Sequence, residues 1–102
     1  MIYVLHFDPP YRHAGHYVGW TKDADVTRRV REHLEQTGRR PSRLVAAAIG
    51  AGCVIRLAAS FEGSIEDEQR IKKGHGAKRI CPICKGEYNA RSAARMRARR
   101  HQ

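Results

Sequence analysis

Two tyrosines, an arginine, a histidine and a glutamate are the residues of this 102-residue chain whose types and spacing could do chemistry together. Tyr3 and Tyr17 sit in short strand-like runs, Arg29 and His33 stand four apart in a basic helical run, and Glu68 falls between Ile65 and Ile71 at a spacing of three. These are the parts required for metal-assisted hydrolysis of a phosphodiester. Such a reaction needs a group to take a proton from the attacking water, a fixed positive charge for the phosphoryl oxygens, and a hard oxygen ligand for a divalent cation. Taken singly each residue is weak evidence: tyrosine is an ordinary strand residue, and an inward glutamate can pair with a lysine four positions on, here Lys72. Their combination carries the signal.

The elements that must position them can be read in order. Ile2 to Phe7 is apolar and rich in strand formers, and Asp8-Pro9-Pro10 should stop it, because proline cannot continue a ladder. A loop carrying Tyr11, Arg12 and His13 then leads to a second strand, His16 to Trp20. Asp23 or Asp25 can cap the next helix, whose apolar positions Val26, Val30, His33, Leu34 and Thr37 follow the 3.6 period until Gly38. At 100° per residue Arg29 falls at the edge of that stripe beside His33, while Arg28 and Arg31 point away. Pro41 suits the first turn of another helix with Leu44, Val45, Ala48 and Ile49 inward, closed by Gly50-Ala51-Gly52. Cys53 to Phe61 alternates, which places Cys53, Ile55, Leu57, Ala59 and Phe61 on one face of a third strand. Ser64 to Asp67 has the form of a capping box and opens a helix to about Lys73.

Length allows one domain, large enough to hold a core. Twenty Lys plus Arg against ten Asp plus Glu leave a net charge of +10, and five arginines, Arg91, Arg95, Arg97, Arg99 and Arg100, fall in the last stretch without an acid among them. Arginine's flat fork suits phosphate, so nucleic acid is the leading partner and an anionic membrane the weaker one. No apolar run approaches a membrane span and no signal-peptide pattern opens the chain, so the expected location is the cytoplasm.

The constellation resembles the GIY-YIG nuclease superfamily. Met1-Ile2-Tyr3 matches its first motif, Tyr17-Val18-Gly19 the second, Arg29 with His33 the helix residues, and Glu68 in Glu-Gln-Arg-Ile-Lys-Lys the metal-binding acid. Gly19-Trp20-Thr21 and Arg79 to Cys84 are similar to small single-domain members that end in Cys-Pro-x-Cys. The resemblance runs from Met1 to about Gly86, and departs where Met1 stands in place of glycine and where the segment before Arg29 is longer, which leaves Arg28 as a competitor. It implies an α/β (α+β) fold with a three-stranded antiparallel sheet flanked by helices, in a nuclease domain over residues 1–87; the Ala- and Arg-rich remainder, 88–102, has helix propensity but no apolar stripe and reads as a basic, mobile tail.

What the resemblance further implies is an endonuclease that hydrolyses phosphodiester bonds in DNA, RNA not being set aside. Tyr17 would be the general base, helped by Tyr3 or His16. A free phenol titrates near 10, so it would need Lys22, Arg29 and the metal close by. Arg29 would clamp developing charge, Glu68 would hold Mg²⁺ or Mn²⁺, and His33 would orient the phosphate or the water. Lys22, Arg28, Lys72, Arg91 and Arg95 are the expected nucleic-acid contacts, with a homodimer or a protein partner supplying specificity. The rival reading is a module of the same fold that binds nucleic acid without turnover.

Cys81-x-x-Cys84 has zinc-ligand spacing, but a structural site takes four ligands. His75 is the candidate third, and a fourth would have to come from His101 or another chain. The spacing therefore favours a reduced thiol pair packing the turn over a bound zinc, with Cys53 in the core and His13, His16 and His75 read as surface histidines.

Overall fold

The computed structural model describes residues 1–38, 42–74 and 76–86. The chain runs β1 (Ile2–Tyr11), β2 (Ala14–Trp20), α1 (Thr27–Glu35), α2 (Arg43–Gly50), β3 (Val54–Phe61), α3 (Ile65–Lys73) and α4 (Ala77–Ile80), with a last helical turn over 82–86. The strands form one antiparallel sheet in the order β2-β1-β3. This is the α+β fold with a three-stranded sheet that the sequence implies. Among the described residues no helix is long and apolar enough to cross a membrane.

β1 is central because it can be buried on both faces, and Ile2 through Phe7 all are. Alternation sends Tyr3, Leu5 and Phe7 to one face, where Val30 of α1 and Val45 and Ala48 of α2 cover them. Ile2 and Val4 go to the other, against Val18 of β2 and, less deeply buried, Ile71 of α3 and Ala77 and Ile80 of α4. Burying a side chain of this kind contributes about 1.5–3 kcal/mol, so these two small clusters hold the layers together. Caps set the helix starts: Ser64 and Asp67 form the reciprocal capping box of α3, and the Ser42 hydroxyl accepts from Val45 N–H to open α2. Asp25 rather than Asp23 receives Thr27 N–H before α1.

Four expectations are corrected. β1 does not stop at Asp8: its ladder with β3 ends at the Asp8 and Val54 pair and its ladder with β2 passes from His6 to Tyr11, so neither Pro9 nor Pro10 has to donate. The connection to β2 is then a tight turn over Arg12 and His13, with Arg12 at φ 55, in place of a long loop. On β3 the register shifts between the partners of Val4 and Leu5, Ala59 and Leu57. That bulge flips the alternation, so Ile55 packs with the α1 and α2 side while Ala59 and Phe61 pack with the α3 and α4 side. Finally, Leu34, Ile49 and Ile65 are 43%, 36% and 46% exposed, since short helices bury only a narrow stripe.

Candidate functional site

β1 and β2 pair with Tyr3 opposite Gly19 and Leu5 opposite Tyr17, so both tyrosines face the α1 side of the sheet. Glycine at 19 is a packing requirement: a Cβ there would overlap the Tyr3 ring. From α1, His33 enters the same space, and the Tyr3 hydroxyl lies 2.7 Å from His33 Nε2. The Tyr17 ring meets the His33 ring edge-on at 4.9 Å between centroids and stands 6.3 Å from the Tyr3 ring. Arg29 borders the Tyr3 hydroxyl and bonds the Glu32 carboxylate at 2.9 Å. Its side chain is 22% exposed against 79% for Arg28, as helix phase predicts.

Burial ranks these groups. Tyr3 and His33 are almost wholly covered, whereas Tyr17 is half-buried. Burial, with the neighbouring Tyr17 phenol, pushes the Tyr3 hydroxyl up to about 12 against the weaker pull of Arg29, so Tyr3 keeps its proton at any physiological pH. Burial, followed by the Arg29 guanidinium, drives His33 down to about 4. A neutral His33 fixes the hydrogen-bond order. Its Nδ1 has no partner among the described residues, and a bare acceptor there is cheaper than an orphaned N–H. Nε2–H then donates to the Tyr3 oxygen, and the Tyr3 O–H, which also hydrogen-bonds with Tyr17, points at the Tyr17 oxygen. His33 thus reaches the surface only through the tyrosines, and an orienting contact with phosphate or water is not what its position offers.

This has a consequence for stability. The unfolded chain protonates His33 near 6.5 and the folded chain resists until about 4. Between those values the unfolded state binds more protons, so stability present above pH 6.5 is lost as pH falls through 4. The displacement corresponds to about 3 kcal/mol. Urea unfolding of His33→Gln across this range is expected to show a pH slope shallower than the parent's by that amount; an unchanged slope contradicts it.

Glu68 is buried on α3, as its helical phase predicts, and its Oε1 receives the Lys72 ammonium at 2.5 Å. The same ammonium lies 5.5 Å from the Tyr17 ring centroid. Lys72 therefore joins Glu68 to the tyrosine group, and it, rather than the exposed Lys22, is the lysine beside Tyr17. A groove of about 990 Å³ runs along the hairpin past Tyr17, with Arg12, His13, Lys72 and Lys78 on its walls. Arg91 and Arg95, with the rest of the tail, lie outside the described residues.

A second cluster occupies the opposite face. His6 and His16 are directly paired across β1 and β2, and Cys81 and Cys84 close on them from the turn after α4. The four ligand atoms lie within 4.8 Å of one another, an arrangement that could hold a metal ion. Two thiols and two imidazoles are soft and borderline donors, which suit zinc better than magnesium or manganese. His16 is held below its usual range by burial, then by His6 and Lys78, so it carries a free lone pair at neutral pH. His16 is thus half-buried among potential ligands and not a plain surface histidine, and the two histidines of the cluster are His6 and His16. His75 and His101 lie outside the described residues.

Two features escaped the sequence reading. Glu32, three residues after Arg29, steadies that guanidinium, and the i, i+3 spacing was the available signal. His6 and His16 belong to no local motif, yet pairing Ile2 with Trp20, the ends of the two apolar runs, brings 6 opposite 16.

Compared with family models, with curated proteins and with solved structures, the chain finds no match.

Proposed function

We propose that the chain is a metal-dependent endonuclease of the GIY-YIG kind, hydrolysing phosphodiester bonds in DNA. The observation that carries this reading is the position of Tyr17, half-buried on a basic groove, with Tyr3 and His33 behind it and Lys72 beside it. The Lys72 ammonium faces the Tyr17 ring, and the Tyr3 hydroxyl is the hydrogen-bond donor toward the Tyr17 oxygen.

In this reading Arg29, held by Glu32 beside the Tyr3 hydroxyl, offsets charge building on the phosphoryl oxygens. Tyr17 acts as the general base: its phenolate oxygen, which receives the Tyr3 hydrogen bond, takes a proton from the attacking water and becomes the neutral phenol. Tyr3 and His33 are positioning groups. Glu68 fits a divalent ion: it is a single buried carboxylate, hard in character, whose present partner Lys72 is 49% exposed and free to swing into solvent. Bound Mg²⁺ or Mn²⁺ would supply Lewis-acid stabilisation of the phosphate. Arg12, Lys78 and Arg28 give the surface charge that tracks a nucleic-acid backbone without reading bases.

Supercoiled plasmid and branched DNA incubated with the full chain test this directly. Nicking with Mg²⁺ or Mn²⁺ and none with EDTA is expected. DNA binding without nicking in either metal favours the non-catalytic module instead.

A further inference from the structure

Beyond the nuclease reading, and independent of it, the cluster on the opposite sheet face has a geometry that hydrogen bonds do not explain. His6 Nδ1 lies 3.4 Å from His16 Nε2, 3.5 Å from Cys81 Sγ and 3.6 Å from Cys84 Sγ, and His16 Nε2 lies 3.3 Å from Cys84 Sγ. An imidazole nitrogen has either one N–H or one lone pair, so it cannot serve three polar neighbours at once. A cation at their centre can. With Zn–S near 2.3 Å and Zn–N near 2.0–2.1 Å, the edges of a tetrahedron come to about 3.4 Å for N to N and about 3.5 Å for N to S. Four of the six pairs among these atoms lie at or within 0.2 Å of those spacings, and all six lie within 4.8 Å.

We propose that His6, His16, Cys81 and Cys84 form a structural zinc site that clasps the β1–β2 hairpin to the turn after α4. The chemistry balances: two thiols lose their protons to solvent, and two thiolates with two neutral imidazoles neutralise the Zn²⁺ charge, so an ion beside fully buried Cys81 and nearly buried His6 carries no net charge. The mechanical case is equally specific. α4 is four residues long and holds the sheet through little more than Ala77 and Ile80, too small a cluster to anchor the end of the described chain alone. The site also pins the strand pair at His16, the residue before Tyr17, from the face opposite the tyrosine cluster. The metal therefore sets hairpin register and takes no part in phosphate chemistry.

Metal analysis and Co²⁺ titration of the full chain test this without DNA. One zinc per purified chain is expected. After chelation, one equivalent of Co²⁺ should give thiolate-to-cobalt charge-transfer bands and the intense visible bands of a tetrahedral centre, displaced by Zn²⁺. Chelation should lower Tm by more than about 10 °C. Cys84→Ser and His16→Ala, truncated at half-buried positions, should keep the far-ultraviolet circular dichroism of the parent and bind Co²⁺ at least about 100-fold more weakly. His75→Ala should bind like the parent. Absence of thiolate bands in the unmodified chain overturns the proposal whether or not the variants fold. So does tight Co²⁺ binding by His16→Ala together with weak binding by His75→Ala.

Discussion

Glu68→Gln is expected to lower Mg²⁺-dependent nicking by more than about 10³-fold, because a divalent ion on a phosphoryl group stabilises its transition state by several kcal/mol and a neutral amide holds such an ion poorly. Glutamine matches the shape of glutamate, so packing on α3 survives. The lost partner is the Lys72 ammonium, about half exposed, which can move into water without leaving a buried charge. Stability should therefore change by no more than about 1 kcal/mol, and DNA affinity should persist or rise with the added positive charge. Single-turnover nicking at saturating DNA, with filter binding alongside, separates the two effects. A glutamine variant that nicks within a few-fold of the parent contradicts a metal held by Glu68.

Arg29→Ala should cost about 10²–10³-fold in rate, the usual effect of removing one preorganised donor from a developing anionic centre. The comparison that gives this meaning is Arg28→Ala, which removes the same charge one residue away. Arg28 is 79% exposed and 3.6 Å from Glu32, whereas Arg29 is tucked at 22% exposure and 2.9 Å from the same carboxylate, beside Tyr3. Arg28→Ala should change only affinity and its salt dependence, by a few-fold. Arg29→Lys should recover part of the rate, since a lysine point charge cannot reproduce the fork. Equal rate losses in the two alanine variants show that surface charge alone matters, and that the helix phase separating Arg29 from Arg28 has no catalytic meaning.

Local patterns carried much of this molecule. The capping box of α3, the apolar runs of β1 and β2 and the 3.6 period of α1 set Glu68, the tyrosines, Arg29 and His33 on their elements, and the fold found is the one implied. What was not legible depends on pairing between distant segments. The prolines of β1 read as a stop because a strand was assumed to need every donor, whereas those positions face no ladder partner. The bulge on β3 could not be seen, since strict alternation continues through it in the residue types. The resemblance implies Tyr17 as base and Tyr3 as helper, but residue type does not carry depth, which separates a buried Tyr3 hydroxyl at about 12 from a half-buried Tyr17 on a groove. The Cys-x-x-Cys turn was visible, but the cluster needs two histidines from a hairpin more than sixty residues earlier, and that is a matter of register and tertiary docking.

The most direct measurement is a crystal structure of the full chain with Mn²⁺ and a short DNA duplex, located by the anomalous signal of manganese. The expected result is one manganese on the Glu68 carboxylate, with Lys72 displaced and a single phosphate lying between Tyr17 and Arg29. A manganese bound away from Glu68, or a DNA backbone seated where no phosphate reaches both Tyr17 and Arg29, contradicts the proposed active site.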